Sequence, residues 1–188
     1  MNFEFSEEQQ MLRDQARSYL TQHCPTTLVR RVLNNRETHD ADLYKGIAEM
    51  GWTATTIPEE YGGLGMSHLE LVVIAEELGR ACAPVPFSST VYLAAEAIMA
   101  LGTEAQKQAW LPKLADGSAI GCFALGEAGG AVTPDQISTS IADGVINGTK
   151  VPVADGGIAD VAIVVCESDG GDGATPVSYT HLTLPTML

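Results

Sequence analysis

Residues 104–130 read EAQKQAWLPKLADGSAIGCFALGEAGG, and the fold is decided inside them. Up to Leu114 the pattern is helical. Thr103 and Gln106 offer acceptors to the open N–H groups of a helix start, and the run continues through Trp110 and Leu114. Pro112 marks or bends the last turn, since it lacks an N–H and crowds the preceding carbonyl. From Gly117 the pattern changes. AIGCFAL, QISTSIA, GVINGTKVPVA and DVAIVVCE are short β-prone runs separated by Gly, Asp and Asn. Asp143-Gly144, between the second and third runs, is a hairpin signal. Asn147-Gly148 offers a further pair of turn residues, with a returning strand after it and Lys150 as a solvated strand position.

Working back from Gly117, the chain reads as helices. Ser6 and Gln9 form a capping box, after which Met11, Leu12, Ala16, Tyr19 and Leu20 recur at helical spacing. A second helix spans Asp42 to Met50, with Leu43, Ile47 and Met50 on one face and Gly51 as its stop. PEEYGGLG is a tight loop in which Glu59 and Glu60 have no chemistry of their own. Ser67 and Glu70 open the apolar helix HLELVVIAEELGR, closed near Gly79. Pro84 and Pro86 then break the chain before SSTVYLAAEAIMALG. Helices first and strands afterwards predict an α+β protein. Its helical domain covers residues 1–117 and its antiparallel β domain residues 118–176.

The composition excludes several functions. With 10 Lys and Arg against 24 Asp and Glu, the formal charge is −14, and Arg30-Arg31 is the only adjacent basic pair, read as a solvated helix face. Nucleic acid and anionic membranes need a basic surface that this chain lacks. Hydrophobic residues make up 45%, enough for a core, and no stretch approaches the ~20 apolar residues of a membrane span. The N-terminus MNFEFSEEQQ has no apolar signal-peptide region, so the expected compartment is the cytoplasm. Cys24, Cys82, Cys122 and Cys166 are scattered, which predicts buried free thiols, with no disulfide framework and no metal site.

The end of the chain reads differently. After ESDGGDGA comes TPVSYTHLTLPTML, which has no charge, no helical periodicity and no hairpin signal. VSYTHLTLPT matches the translation of GTC TCT TAT ACA CAT CTG ACG CTG CCG ACG, which resembles a transposase adapter used in sequencing libraries. Residues 177–188 are therefore expected to be non-native and to find no buried role.

Four stretches in series carry a family resemblance: FSEEQQMLRDQARSYL, IPEEYGGLGMSHLELVVIAEELGRACAPVP, EAQKQAWLPKLADGSAIGCFALGEAGG and DGVINGTK. Together they resemble the acyl-CoA dehydrogenase family of flavoproteins, from Met1 to about Thr175. The resemblance implies FAD as cofactor, an acyl-CoA thioester as substrate and α,β-dehydrogenation as the reaction, in fatty-acid or lipid catabolism. It implies a homo- or hetero-oligomer and a catalytic glutamate in a C-terminal helical domain. On that reading the β domain here is truncated, with open edges that favour aggregation, and none of Glu76, Glu77 or Glu127 is the base. Surface or loop roles are expected for those three.

The resemblance also places residues beside the flavin. GCFALGEAGG would pass along the ring edge with Phe123, Leu125 and Gly126 next to it. After Lys150, the family's aromatic, aliphatic and hydroxyl positions are matched by Pro152, Val153 and Ala154. The family's Thr-Glu-Pro is Gly126, Glu127 and Ala128 here, and its small-Ser-Asp run is Ala131, Val132 and Thr133. Each lost hydroxyl removes ~1 kcal/mol of net hydrogen bonding. These departures point to a second reading, a divergent non-catalytic subunit that assembles with a flavin-competent partner. A related flavin oxidase or monooxygenase is the third.

Overall fold

The computed structural model describes residues 5–128, 136–168 and 177–180. The chain divides into two compact units, one of Met1–Phe87 with Gln108–Ser118 and the other of Ser88–Lys107 with Ala119–Leu188. The secondary structure switches from helix to strand near residue 117, as the sequence indicates. Packing follows a different rule, because the helical segment after Pro86 groups with the strands.

In the first unit, α1 (Glu7–His23) begins at the expected capping box: Ser6 accepts from the Gln9 N–H, and Gln9 returns the bond to the Ser6 N–H. It packs on α4 (His68–Ala81), which starts at a second box made by Ser67 and Glu70. Gln9 donates to Glu70 at 2.8 Å, Arg13 pairs with Glu76 at 3.0 Å and Arg17 with Glu77 at 2.6 Å. These contacts climb both helices in the same direction, so α1 and α4 run parallel with their C-terminal ends together. Ala16 and Leu20 are buried on this face, whereas Met11 is exposed. Met11 sits about 200° around the helix from Gln9, on the opposite side, and its inclusion in the apolar stripe is corrected.

Two further helices complete the turn of chain between them. α2 (Thr26–Asn35) follows Pro25 and ends with Arg36 in the left-handed region. Its Arg31 does not simply face water, because it pairs with Asp40, whose other oxygen caps α3 (Ala41–Glu49) through the Leu43 N–H. Leu43 and Ile47 are buried as expected, and Gly51 follows the helix at φ 78°. In the loop before α4, a Cβ on Gly63 would stand 1.8 Å from the Ile57 carbonyl oxygen, so only glycine fits. Glu59 and Glu60 lie in the exposed turn of that loop.

The second unit opens with a π-helix over Ser88–Ala95, continued by α5 (Glu96–Leu101). Small and hydroxyl residues let it lie against β1 (Gly121–Ala124), where the Thr90 hydroxyl accepts from the Gly121 N–H at 3.2 Å. α6 (Glu104–Ala115) starts at the expected Thr103/Gln106 box in this unit, and from Gln108 on, including Pro112 one turn before its end, it belongs to the first unit. The first sheet has the order β1, β4 (Val161–Val165), β6 (Val177–Thr180), and the second β3 (Val145–Asn147), β2 (Ser140–Ala142), β5 (Glu167–Ser168). β1 pairs with β4, and β2 with β5, in parallel; β2 with β3 and β4 with β6 are antiparallel. The α+β class stands, and the expected all-antiparallel domain is corrected to a mixed one.

Asp143 and Gly144, at φ 51° and 76°, make the tight turn between β2 and β3. Asn147-Gly148 makes no second hairpin: β3 ends there and residues 148–153 form no strand. β6 gives the tail a feature its sequence does not announce, since Val177↔Val165 to Thr180↔Ala162 are in register with β4. The side chains of residues 177–188, and so the expected lack of a buried role, lie outside the described ones. An open strand edge offers N–H and C=O groups to any extended backbone, which accounts for the pairing.

Candidate functional site

The site begins at the end of β1. Cys122 and Ala124 point inward, where they pack with Ala162 and Val164 of β4. Strand alternation puts Phe123 and Leu125 on the other side, with Phe123 half-buried and Leu125 exposed. Past the strand, the Val151 N–H donates to the Gly126 carbonyl at 2.8 Å. A Cβ on Gly126 would lie 3.0 Å from the Val151 carbonyl oxygen and 3.7 Å from the Pro152 ring, a fit tighter than most side chains accept. This bond sets the two sequence-predicted segments side by side.

Not every expected residue faces the same way. Pro152 and Ala154 are exposed, next to an exposed Val151. Val153 turns inward and lines a cavity of about 430 Å³ with Cys122, Ala124, Ile146 and Val164. Burial, with the Asp155 charge adding to it, pushes the Cys122 thiol up to about 11, so it is no nucleophile near neutral pH. Ala131, Val132 and Thr133 lie outside the described residues.

The largest polar feature is one that sequence reading missed. The Glu127 carboxylate accepts from the Lys150 ammonium at 2.7 Å and the Thr139 hydroxyl at 2.6 Å. It also accepts from the Ser138 and Thr139 N–H groups at 2.9 and 3.0 Å, and from the Ser138 hydroxyl. Lys150 donates as well to the Leu125 carbonyl at 3.2 Å. Its side chain is 7% exposed, so the reading of Lys150 as a solvated strand residue is corrected. The Lys150 bond foremost, then Ser138 and Thr139, hold the Glu127 carboxyl far below the ordinary carboxylate range. Lys150 is the only Lys or Arg after Lys113, and that isolation was the signal available in the sequence.

Glu77 is corrected in the same sense. It is not at the helix surface: it is fully buried and held by Arg17 from α1 and Arg80 from its own helix. The Arg17 hydrogen bond lowers its pKa against the opposing effect of burial. A carboxylate so paired is a poor proton acceptor, which suits a structural ion pair and no general base. Among the described residues no group of His, Cys, Asp and Glu is placed to hold a metal, and no helix is long and apolar enough to cross a membrane.

This helix-rich architecture with its small sheets matches that of acyl-CoA dehydrogenase N-terminal and middle domains. The chain belongs to the acyl-CoA dehydrogenase family of oxidoreductases: residues 6–118 match the model of the "Acyl-CoA dehydrogenase, N-terminal domain". It is 32% identical to the acryloyl-CoA reductase (NADH) of Anaerotignum propionicum, over 95% of this chain and 46% of that one. It superposes on an acyl-CoA dehydrogenase complexed with FAD from Bacillus anthracis with TM-score 0.79 and 28% identity, covering 95% of this chain and 31% of the other. It also superposes on the ChsE4-ChsE5 complex from Mycobacterium tuberculosis with TM-score 0.83 and 26% identity, over 96% and 49%. The chain thus spans about half or less of the length of these relatives.

Proposed function

We propose that this chain is the N-terminal (1–117) and middle (118–176) part of an FAD-dependent acyl-CoA dehydrogenase that forms an α,β-unsaturated thioester. On this reading the base and the rest of the flavin wall belong to a C-terminal domain outside the sequence. The observation that carries it is the Gly126–Val151 hydrogen bond, which brings the exposed apolar side chains of Leu125 and Val151 to one place. A flat apolar ring fits such a surface. When bound, FAD would supply the hydride acceptor, which no side chain of this chain offers. Phe123, Leu125, Gly126 and the 151–154 segment would bind and orient it. The cytoplasm is the compartment this reading implies.

The polar side of the fit is weaker, and it favours a second reading. The nearby hydroxyls of Ser138 and Thr139 are committed to Glu127, while Pro152 and Ala154 offer none. A divergent subunit that relies on a flavin-competent partner accounts for this, and the ChsE4-ChsE5 relative is a complex of two differently named chains.

Expression of the complete reading frame tests both. A yellow protein that reduces its flavin with an acyl-CoA supports the first. A colourless protein that gains FAD only with a partner subunit supports the second. Neither result, with no flavin under any condition, would overturn both. Sequencing the locus without a transposase adapter tests the proposed non-native origin of residues 177–188: recovery of the same ten residues from Val177 removes it.

A further inference from the structure

We propose that Cys24 and Cys82 are a thiol–disulfide site whose closure ties the C-terminal ends of α1 and α4 together. The two cysteines are far apart in sequence and carry no motif. The parallel packing of the helices is what brings them to one end, since Cys24 is the C-cap of α1 and Cys82 the C-cap of α4. The Cys24 sulfur lies 3.8 Å from the carbonyl oxygen of Ala81, the residue bonded to Cys82. A carbonyl oxygen is roughly 3 Å from the next Cα, so that sulfur is at most about 7 Å from the Cα of Cys82. In a disulfide each sulfur stands roughly 3–4.5 Å from the partner's Cα, so closure needs rotation of the Cys82 side chain and an approach of the two helix ends by up to about 3 Å.

The two thiols differ in the way a sequential exchange requires. Cys82 is exposed, with its backbone held at φ 49° by bonds from its own N–H to the last turn of α4. Cys24 is buried, and burial, Asp40 and the neighbouring Cys82 together push its thiol up. Cys82 is therefore the attacking group and Cys24 the resolving one.

With oxidised glutathione as the oxidant, the Cys82 thiolate attacks one sulfur of the reagent and displaces glutathione thiolate, leaving a mixed disulfide. The Cys24 thiolate then attacks the Cys82 sulfur and displaces the second glutathione. The two protein protons end on the two glutathione thiols, and the two electrons lost by the cysteines reduce the reagent. A reducing compartment would reopen the bond, which makes the site reversible.

The test treats the full chain, folded and reduced, with oxidised glutathione at mildly alkaline pH, followed by intact mass and non-reducing peptide mapping. Wild type should lose the mass of two hydrogens and yield a Cys24–Cys82 linked peptide. C24S should stop at a glutathione adduct on Cys82 that outlives any wild-type adduct at least about tenfold, and C82S should react at neither position. A persistent Cys82 adduct on the wild type, no reaction at all, or equal yields of Cys122 and Cys166 linkages would each overturn the proposal. Dithiothreitol should restore the starting mass; failure to do so would overturn reversibility.

Discussion

The Lys150 ammonium lies 2.7 Å from the Glu127 carboxylate, and the pair joins the end of β1 to the segment after β3. Both side chains are largely shielded, and the same carboxylate takes up the amides and hydroxyls of Ser138 and Thr139. Lys150→Met should therefore lower the thermal midpoint and raise the Glu127 pKa. Lys150→Arg should recover part of the midpoint by keeping the charge. Thermal scans of the three proteins check this, and an unchanged midpoint for Lys150→Met would show that the clamp carries no stability.

Glu77→Gln leaves Arg17 and Arg80 facing a neutral amide inside the α1–α4 interface. Breaking a buried pair costs about 3–5 kcal/mol, and the partial exposure of both arginines reduces that to roughly 2–3 kcal/mol. Urea unfolding reads the difference as a lower midpoint at unchanged slope.

The same carboxylate gives a pH signature. Its folded pKa is depressed, chiefly by Arg17. Its contribution is fully present above the unfolded value of about 4.3 and disappears as pH falls through the folded one. Unfolding free energy should fall on acidification below about pH 4.3, and the Glu77→Gln protein should show a shallower fall over that window. Parallel acid limbs would remove Glu77 from the explanation.

Gly126→Ala tests the close approach to Val151. The added methyl meets the Val151 carbonyl oxygen at 3.0 Å, so one of the two segments must move. A cost of about 1–3 kcal/mol is expected. In the complete protein, Gly126→Thr should gain FAD retention only if that movement is absorbed, and spectra of purified pigment per polypeptide measure it.

How much of this was legible depended on the range of the interaction. The three capping boxes at Ser6, Ser67 and Thr103 are written within four residues, and each appears where expected. Asp143-Gly144 is equally local. The α2 helix shows in the sequence only through the Arg30-Arg31 helix face, since Pro25 offers no side-chain cap to mark its start, although Leu28, Val29, Val32 and Leu33 carry helical spacing. Glu77 with Arg17, and Glu127 with Lys150, join residues 60 and 23 positions apart. No local pattern encodes such pairs, which is why surface roles were the natural assignment. The strand directions follow the same rule: the β2–β3 hairpin lies between β1 and β4 in sequence and sets no register between them.

β6 fills the side of β4 that β1 leaves open, and that side is a docking rail that reads backbone shape and ignores side-chain identity. Such a rail cannot distinguish its own downstream sequence from a foreign strand of similar length. A synthetic β-forming peptide in excess should compete for it, and exchange of terminal strands between two copies should show as a dimer whose share grows with protein concentration. Occupancy of that position is thus a question of concentration as much as of sequence, and dilution becomes a tool for separating the self-paired form from the exchanged one.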